Sequence, residues 1–164
     1  MADCVIFIGL PASGKTTFYH RRFATTHRHI SKDHWPGAAN KDARQAALIS
    51  AALSHGAPVV IDNTNPTIRE RAAVIALARA HGARIVGYYF TATTREAVGR
   101  NRGRHGTQRV PDVAIFTKAK QMVRPTPGEG FDELFTVGIQ ADGTFNVEAL
   151  DVKDDDAGGR PPAE

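Results

Sequence analysis

The sequence predicts an α/β fold, a parallel sheet of about five strands with helices on both faces. Two observations carry this. Short apolar runs alternate with stretches of helix formers along the chain, the pattern of parallel strands joined by crossover helices. The first of these runs, Cys4–Ile8, also leads straight into Gly9-Leu10-Pro11-Ala12-Ser13-Gly14-Lys15-Thr16, which is glycine, four residues, then Gly-Lys-Thr. Composition sets the scale: 164 residues, 41% apolar and 23% charged, suit one domain with a water-facing surface. The longest apolar runs are far too short to cross a bilayer. No basic segment leads into an apolar one at Met1-Ala2-Asp3-Cys4, and Cys4 has no second cysteine to pair with, so a cytoplasmic protein is expected.

Cys4–Ile8 reads as a buried strand and Gly14 to about Arg22 as the first helix. A short strand is expected at His29-Ile30, then a helix from Ala43 to His55 closed by Gly56. Pro58–Asp62 is a strand with an acid at its carboxyl end. Thr67-Ile68-Arg69-Glu70 has the form of a capping box and opens a helix to His81, closed by Gly82. Arg84–Thr91, apolar throughout, is a fourth buried strand. Thr93-Thr94-Arg95-Glu96 offers a second box before a helix to about Arg102. Asn101–Arg109, rich in Gly and Arg, reads as a flexible stretch, and Pro111 opens a helix to about Met122. Leu134–Ile139 is the last expected strand, followed by the hairpin signal Ala141-Asp142-Gly143. Residues 1–150 form the expected domain, with a lid over about 99–124. Residues 151–164 read as a disordered acidic tail.

The glycine-rich loop points to phosphate. Its glycines let the backbone wrap with N–H groups inward, and the helix behind it turns a positive end to the anion. The expected nucleotide-binding set is Gly9, Pro11, Ala12, Ser13, Gly14, Lys15, Thr16 and Thr17. Lys15 would reach the β- and γ-phosphates of ATP, and the Thr16 hydroxyl would ligate Mg²⁺. Guanine is disfavoured, because Asn40-Lys41-Asp42-Ala43 places its acid one position too early for a guanine-reading motif. Asp62, at a strand's carboxyl end, is either a turn residue or a carboxylate that helps hold Mg²⁺ through water. Asp33, past the short second strand, is either a turn residue or the base that takes a proton from an acceptor hydroxyl.

Net charge is +4, unevenly spread. Between Arg95 and Arg124 eight basic residues face two acidic ones, whereas from Asp132 onward nine acids face two basic residues. Arg100, Asn101, Arg102, Arg104 and Arg109 therefore form either a solvated basic loop or a lid that closes guanidiniums over a triphosphate.

Together these runs resemble a known family. Gly9–Thr17, Ser31-Lys32-Asp33, Val60-Ile61-Asp62-Asn63-Thr64-Asn65-Pro66, Phe90–Thr93, and Arg100–Arg104 through Val110-Pro111 are similar, in order and spacing, to the P-loop 5′-hydroxyl polynucleotide kinases of phage and animal end-healing enzymes. The resemblance covers about residues 1 to 138. It implies a P-loop kinase fold and transfer of the ATP γ-phosphoryl to a 5′-hydroxyl end of RNA or DNA. It further implies that Lys15 and Thr16 hold phosphate and Mg²⁺ and that Asp33 is the general base. Arg104, with Arg102, would contact the triphosphate, and Asp62, Asn65 and Arg71 would lie at the acceptor. Lys32 departs from the family's usual arginine, and Val74 stands where animal members carry tyrosine. No room is expected for an accompanying phosphatase domain, and no obligate protein partner or membrane contact is visible. A small-molecule kinase for a sugar, nucleoside or antibiotic hydroxyl is the alternative, as is a binding module that hydrolyses ATP slowly. His27, His29 and His34 could share a face as metal ligands, but no cysteine or acid completes a set at ligand spacing, so they read as surface or phosphate-adjacent residues, and Trp35 as either core or a stacking surface for an acceptor base.

Overall fold

A computed structural model describes residues 1–150; the expected acidic tail, 151–164, lies outside the described residues. One six-stranded sheet organises them, in the order β2-β3-β1-β4-β5-β6. The strands are β1 (Asp3–Ile8), β2 (Arg28–Ile30), β3 (Val59–Asp62), β4 (Arg84–Phe90), β5 (Glu133–Ile139) and β6 (Phe145–Ala149). The first five run parallel, as expected, and β6 returns antiparallel on β5. The sixth strand is an addition to the expected sheet. The hairpin signal is real: Gly143 takes a φ of 83°, and the Asp142 side chain accepts from the Thr144 N–H at 3.0 Å.

The helices are α1 (Lys15–Arg22), α2 (Lys41–Ser54), α3 (Ile68–Ala80), α4 (Thr94–Arg102) and α5 (Asp112–Gln121). Alternation along the buried strands divides the core in two. Cys4, Ile6 and Ile8 pack with Ile49 and Leu53 of α2, Val74 and Ile75 of α3, and Ile115 of α5. Val5 and Phe7 face the other way, onto Phe18 and Tyr19 of α1 and onto Phe90. Phe7 and Phe18 are fully buried, with ring centroids 5.7 Å apart.

Thr67 and Thr93 cap α3 and α4 by accepting the N–H of Glu70 and Glu96. Asn101–Arg109, expected to be loose, is tied at its root. Asn101 is fully buried, donates to the Val110 carbonyl at 2.6 Å and accepts the Val110 N–H at 3.0 Å. Among the described residues no helix is long and apolar enough to cross a membrane.

Candidate active site

The glycine-rich loop joins β1 to α1 at the carboxyl end of the sheet, where parallel α/β sheets place their ligands. Its glycines are sterically required. A Cβ on Gly9 would lie 2.8 Å from Phe90 Cβ, and Gly14 combines a φ of 95° with a would-be Cβ 2.8 Å from Ile139 Cδ1. Ala12 also takes a positive φ, 61°, inside the loop. Lys15 is buried, and its Nζ donates to the carbonyls of Gly9 at 3.0 Å and Leu10 at 2.7 Å. Burial lowers its pKa to about 8, although the carboxylates of Asp62 and Asp33 favour the charged form; Arg104 lowers it further. Ser13 Oγ is buried with no hydrogen-bond partner among the described residues, Pro11 is half-buried, and Thr16 and Thr17 are exposed on the first turn of α1.

Asp62 is opposite Phe7 in the β1–β3 register, which sets it on the α1 face of the sheet. Its Oδ2 accepts from Thr16 Oγ1 at 2.9 Å and pairs with His29 Nε2 at 2.8 Å. Burial works to raise its pKa, but the His29 hydrogen bond, the Lys15 charge and the Thr16 hydroxyl outweigh it and hold the carboxyl below its ordinary value. A hydroxyl beside an ionised carboxylate is a hard-oxygen donor set. It fits Mg²⁺, which takes one or two protein oxygens and completes its shell with phosphates and water.

Asp33 is exposed on a 3-10 turn, Lys32–His34, that Ser31 Oγ caps by accepting the Asp33 N–H at 3.2 Å. The turn is fastened to the segment after β3. Asn63 Oδ1 accepts the Lys32 N–H at 2.9 Å, and its Nδ2 donates to Gln45 at 2.7 Å. Lys32 also pairs with Asp42. Trp35 is half-buried against the core, with the Arg44 guanidinium 4.7 Å from its ring centroid.

Two residues expected at the acceptor turn their polar groups into the fold. Asn65 is buried at a φ of 45° and donates to the Phe7 carbonyl at 2.7 Å, so its amide braces β1. Arg71 has no exposed surface. Its guanidinium grips Glu129 at 2.7 and 3.1 Å and donates to the carbonyls of Asn65 and Pro66. Four of its five N–H groups are thus engaged inside the fold, and its side chain has no exposed surface. Glu129 is held by a Thr126-Pro127-Gly128-Glu129 capping box, a sequence signal that reasoning along the chain passed over.

On the other flank, Arg100 lies over the glycine-rich loop, its Nη1 3.6 Å from the position of a Cβ on Gly14. Arg104, half-buried, donates to the Gln108 carbonyl at 3.1 Å, while Arg102 and Arg109 are exposed. The residue that sequence reasoning most undervalued is His29. The alternation of His27 and His29 along a strand beside β3 was its only signal.

The model of a known family, the AAA domain, matches residues 4–125. A protein of Acanthamoeba polyphaga mimivirus described as a bifunctional polynucleotide phosphatase/kinase is 32% identical over 147 residues, 85% of this chain and 34% of the relative. The chain thus spans about a third of the length of that curated relative. Among solved structures, a chain of the Pnkp1/Rnl/Hen1 RNA repair complex aligns with a TM-score of 0.62 at 23% identity, over 74% of this chain and 44% of that one. A gluconokinase from Sinorhizobium meliloti 1021 aligns with a TM-score of 0.59 at 17% identity, over 83% and 82%. The chain belongs to the AAA-domain family, and its fold is that of the P-loop kinases.

Proposed function

We propose that this AAA-family chain is a Mg²⁺-dependent kinase that transfers the γ-phosphoryl of ATP to the 5′-hydroxyl end of a polynucleotide. The observation that carries the reaction type is a glycine-rich loop with Lys15 buried in it, the Thr16 Oγ1–Asp62 Oδ2 contact at 2.9 Å beside it, and Asp33 exposed on the turn after β2, all at the carboxyl edge of one sheet. Kinase chemistry needs a cationic cradle for the phosphates, a metal-holding carboxylate and a second carboxylate free to address an acceptor. Lys15 and the loop N–H groups bind the β- and γ-phosphates. Thr16 and Asp62 hold Mg²⁺, which offsets charge on the phosphate oxygens when bound. Asp33, exposed and separate from the metal pair, accepts the proton of the acceptor hydroxyl as its oxygen bonds to phosphorus and ADP leaves. Arg104, Arg100 and the outward-facing Arg102 draw over the phosphates as a lid, neutralising the equatorial oxygens.

A polynucleotide acceptor is supported by the mimivirus relative, which aligns over 85% of this chain, and by the basic stretch that borders the loop. The test supplies γ-labelled ATP and Mg²⁺ with a 5′-hydroxyl oligonucleotide, its 5′-phosphorylated counterpart and a pool of small hydroxylic metabolites. Label on the 5′-hydroxyl oligonucleotide alone is the expected result. Label confined to the metabolites would transfer the same residues to a small-molecule kinase, the activity named for the Sinorhizobium protein. ATP binding without any transfer would leave a nucleotide-dependent binding module.

A further inference from the structure

We propose that His29 is a positioning residue for the metal site, orienting the Asp62 carboxylate toward the Mg²⁺–nucleotide through a hydrogen bond from Nε2. The inference rests on the reading of Thr16 and Asp62 as the metal pair. Four observations place the ring. In the β2–β3 register His29 is opposite Val60, two residues before Asp62, so both side chains project from the same face. The imidazole lies flat on the Tyr19 ring, with centroids 3.9 Å apart and planes 13° from parallel. Tyr19 is itself fixed, because its hydroxyl donates to the His27 carbonyl at 2.7 Å. Held by that stack, His29 sets Nε2 2.8 Å from Asp62 Oδ2, the oxygen that also receives the Thr16 hydroxyl at 2.9 Å.

The consequence is a division of labour within one carboxylate. Oδ2 is filled by two donors from protein, and the carboxylate plane can no longer swing. Oδ1 is left for metal-bound water. Outer partners of this kind typically contribute about 10- to 100-fold to metal affinity, because an unbraced carboxylate must be ordered at the moment of binding. Either neutral imidazole with its proton on Nε2, or imidazolium, makes this bond, so the role needs no change of protonation.

Two substitutions separate the hydrogen bond from the packing. His29→Phe keeps a ring against Tyr19 and removes the donor. His29→Gln removes the ring and keeps an N–H at comparable reach. The affinity of a fluorescent ATP analogue is measured for each in MgCl₂ and in EDTA, and the ratio gives the metal-dependent gain. His29→Phe is expected to cut that gain about tenfold or more with affinity in EDTA unchanged, and His29→Gln to restore most of it. A wild-type gain in His29→Phe, an equal loss with and without metal, or no rescue by His29→Gln would each overturn the proposal. A wild-type protein that shows no gain from Mg²⁺ would instead remove the metal reading of Thr16 and Asp62, and this proposal with it.

Discussion

Arg71 and Arg104 both sit in stretches that resemble kinase site motifs, and the fold uses them in opposite ways. Arg71, on α3, is sealed from solvent, bidentate to Glu129 and bonded to two carbonyls. Arg104 stands on the loop between α4 and α5 with one carbonyl as its partner, near enough to Lys15 to act on its charge. A buried guanidinium with four internal hydrogen bonds is a fastener, and removing it leaves the buried Glu129 carboxylate without its counter-charge. A loop guanidinium with spare donors can follow charge as it develops on a ligand. Lys15 combines the two conditions: it is buried like Arg71, yet set in the glycine-rich loop that the proposed reaction assigns to phosphate.

The contrast is strongest in stability. Arg71→Ala is expected to lower unfolding free energy by about 3–5 kcal/mol, read from the denaturant midpoint, while Arg104→Ala leaves that midpoint in place. A stable Arg71→Ala protein with a specific loss of acceptor affinity would break the distinction. Lys15→Ala should cost about 10²- to 10³-fold in kcat/KM, the scale of removing one preorganised group that stabilises transition-state charge. Asp33→Asn should slow phosphoryl transfer about 10²-fold or more while nucleotide affinity in binding assays holds. A loss below about threefold would remove Asp33 from the reaction. Arg104→Ala should cost about tenfold or more in kcat, with the folded state untouched.

The smallest effect is in pH. Lys15 is lowered from 10.5 to about 8 in the folded protein. Between about 8 and 10.5 the unfolded chain binds this proton and the folded one does not, so the lysine makes stability rise with pH across that window. Below about 8 the cost of burying the ammonium is fully present. Lys15→Met should flatten that rise in denaturation midpoints taken across the window. Nucleotide affinity should fall as pH climbs through about 8, since the neutral amine offers the phosphates no charge.

Five strands and the phosphate loop were legible because their signals are local: apolar runs of strand length, and glycines at fixed spacing before Lys15. What escaped depends on partners distant in sequence. The second arm of the terminal hairpin has a weaker apolar pattern, and only pairing with β5 makes Phe145–Ala149 a strand. Arg71 is placed at the acceptor by the resemblance alone, and its pairing with Glu129, 58 residues away, has no signal in its own stretch of chain. Asn101 read as part of a loose lid, yet it closes that loop on itself. His29 drew little notice because its value comes from a diagonal neighbour across two strands and from Tyr19 beneath it. Lys15, Thr16, Asp33 and Asp62 read as one candidate group because each lies at or beyond the carboxyl end of a strand, and a parallel sheet gathers those ends.

The three residues after Asp62 behave as a caliper. Asn63 grips the turn that bears Asp33 at 2.9 Å, the Thr64 carbonyl takes the Gly9 N–H at 3.0 Å, and Asn65 holds the Phe7 carbonyl at 2.7 Å. One short segment therefore gauges the span between the groups assigned to phosphate and the carboxylate assigned to the acceptor. Group transfer tolerates little error in that span, since a misplacement of about 1 Å costs roughly 100-fold. A substitution in a rim loop outside this segment leaves the gauge as it is.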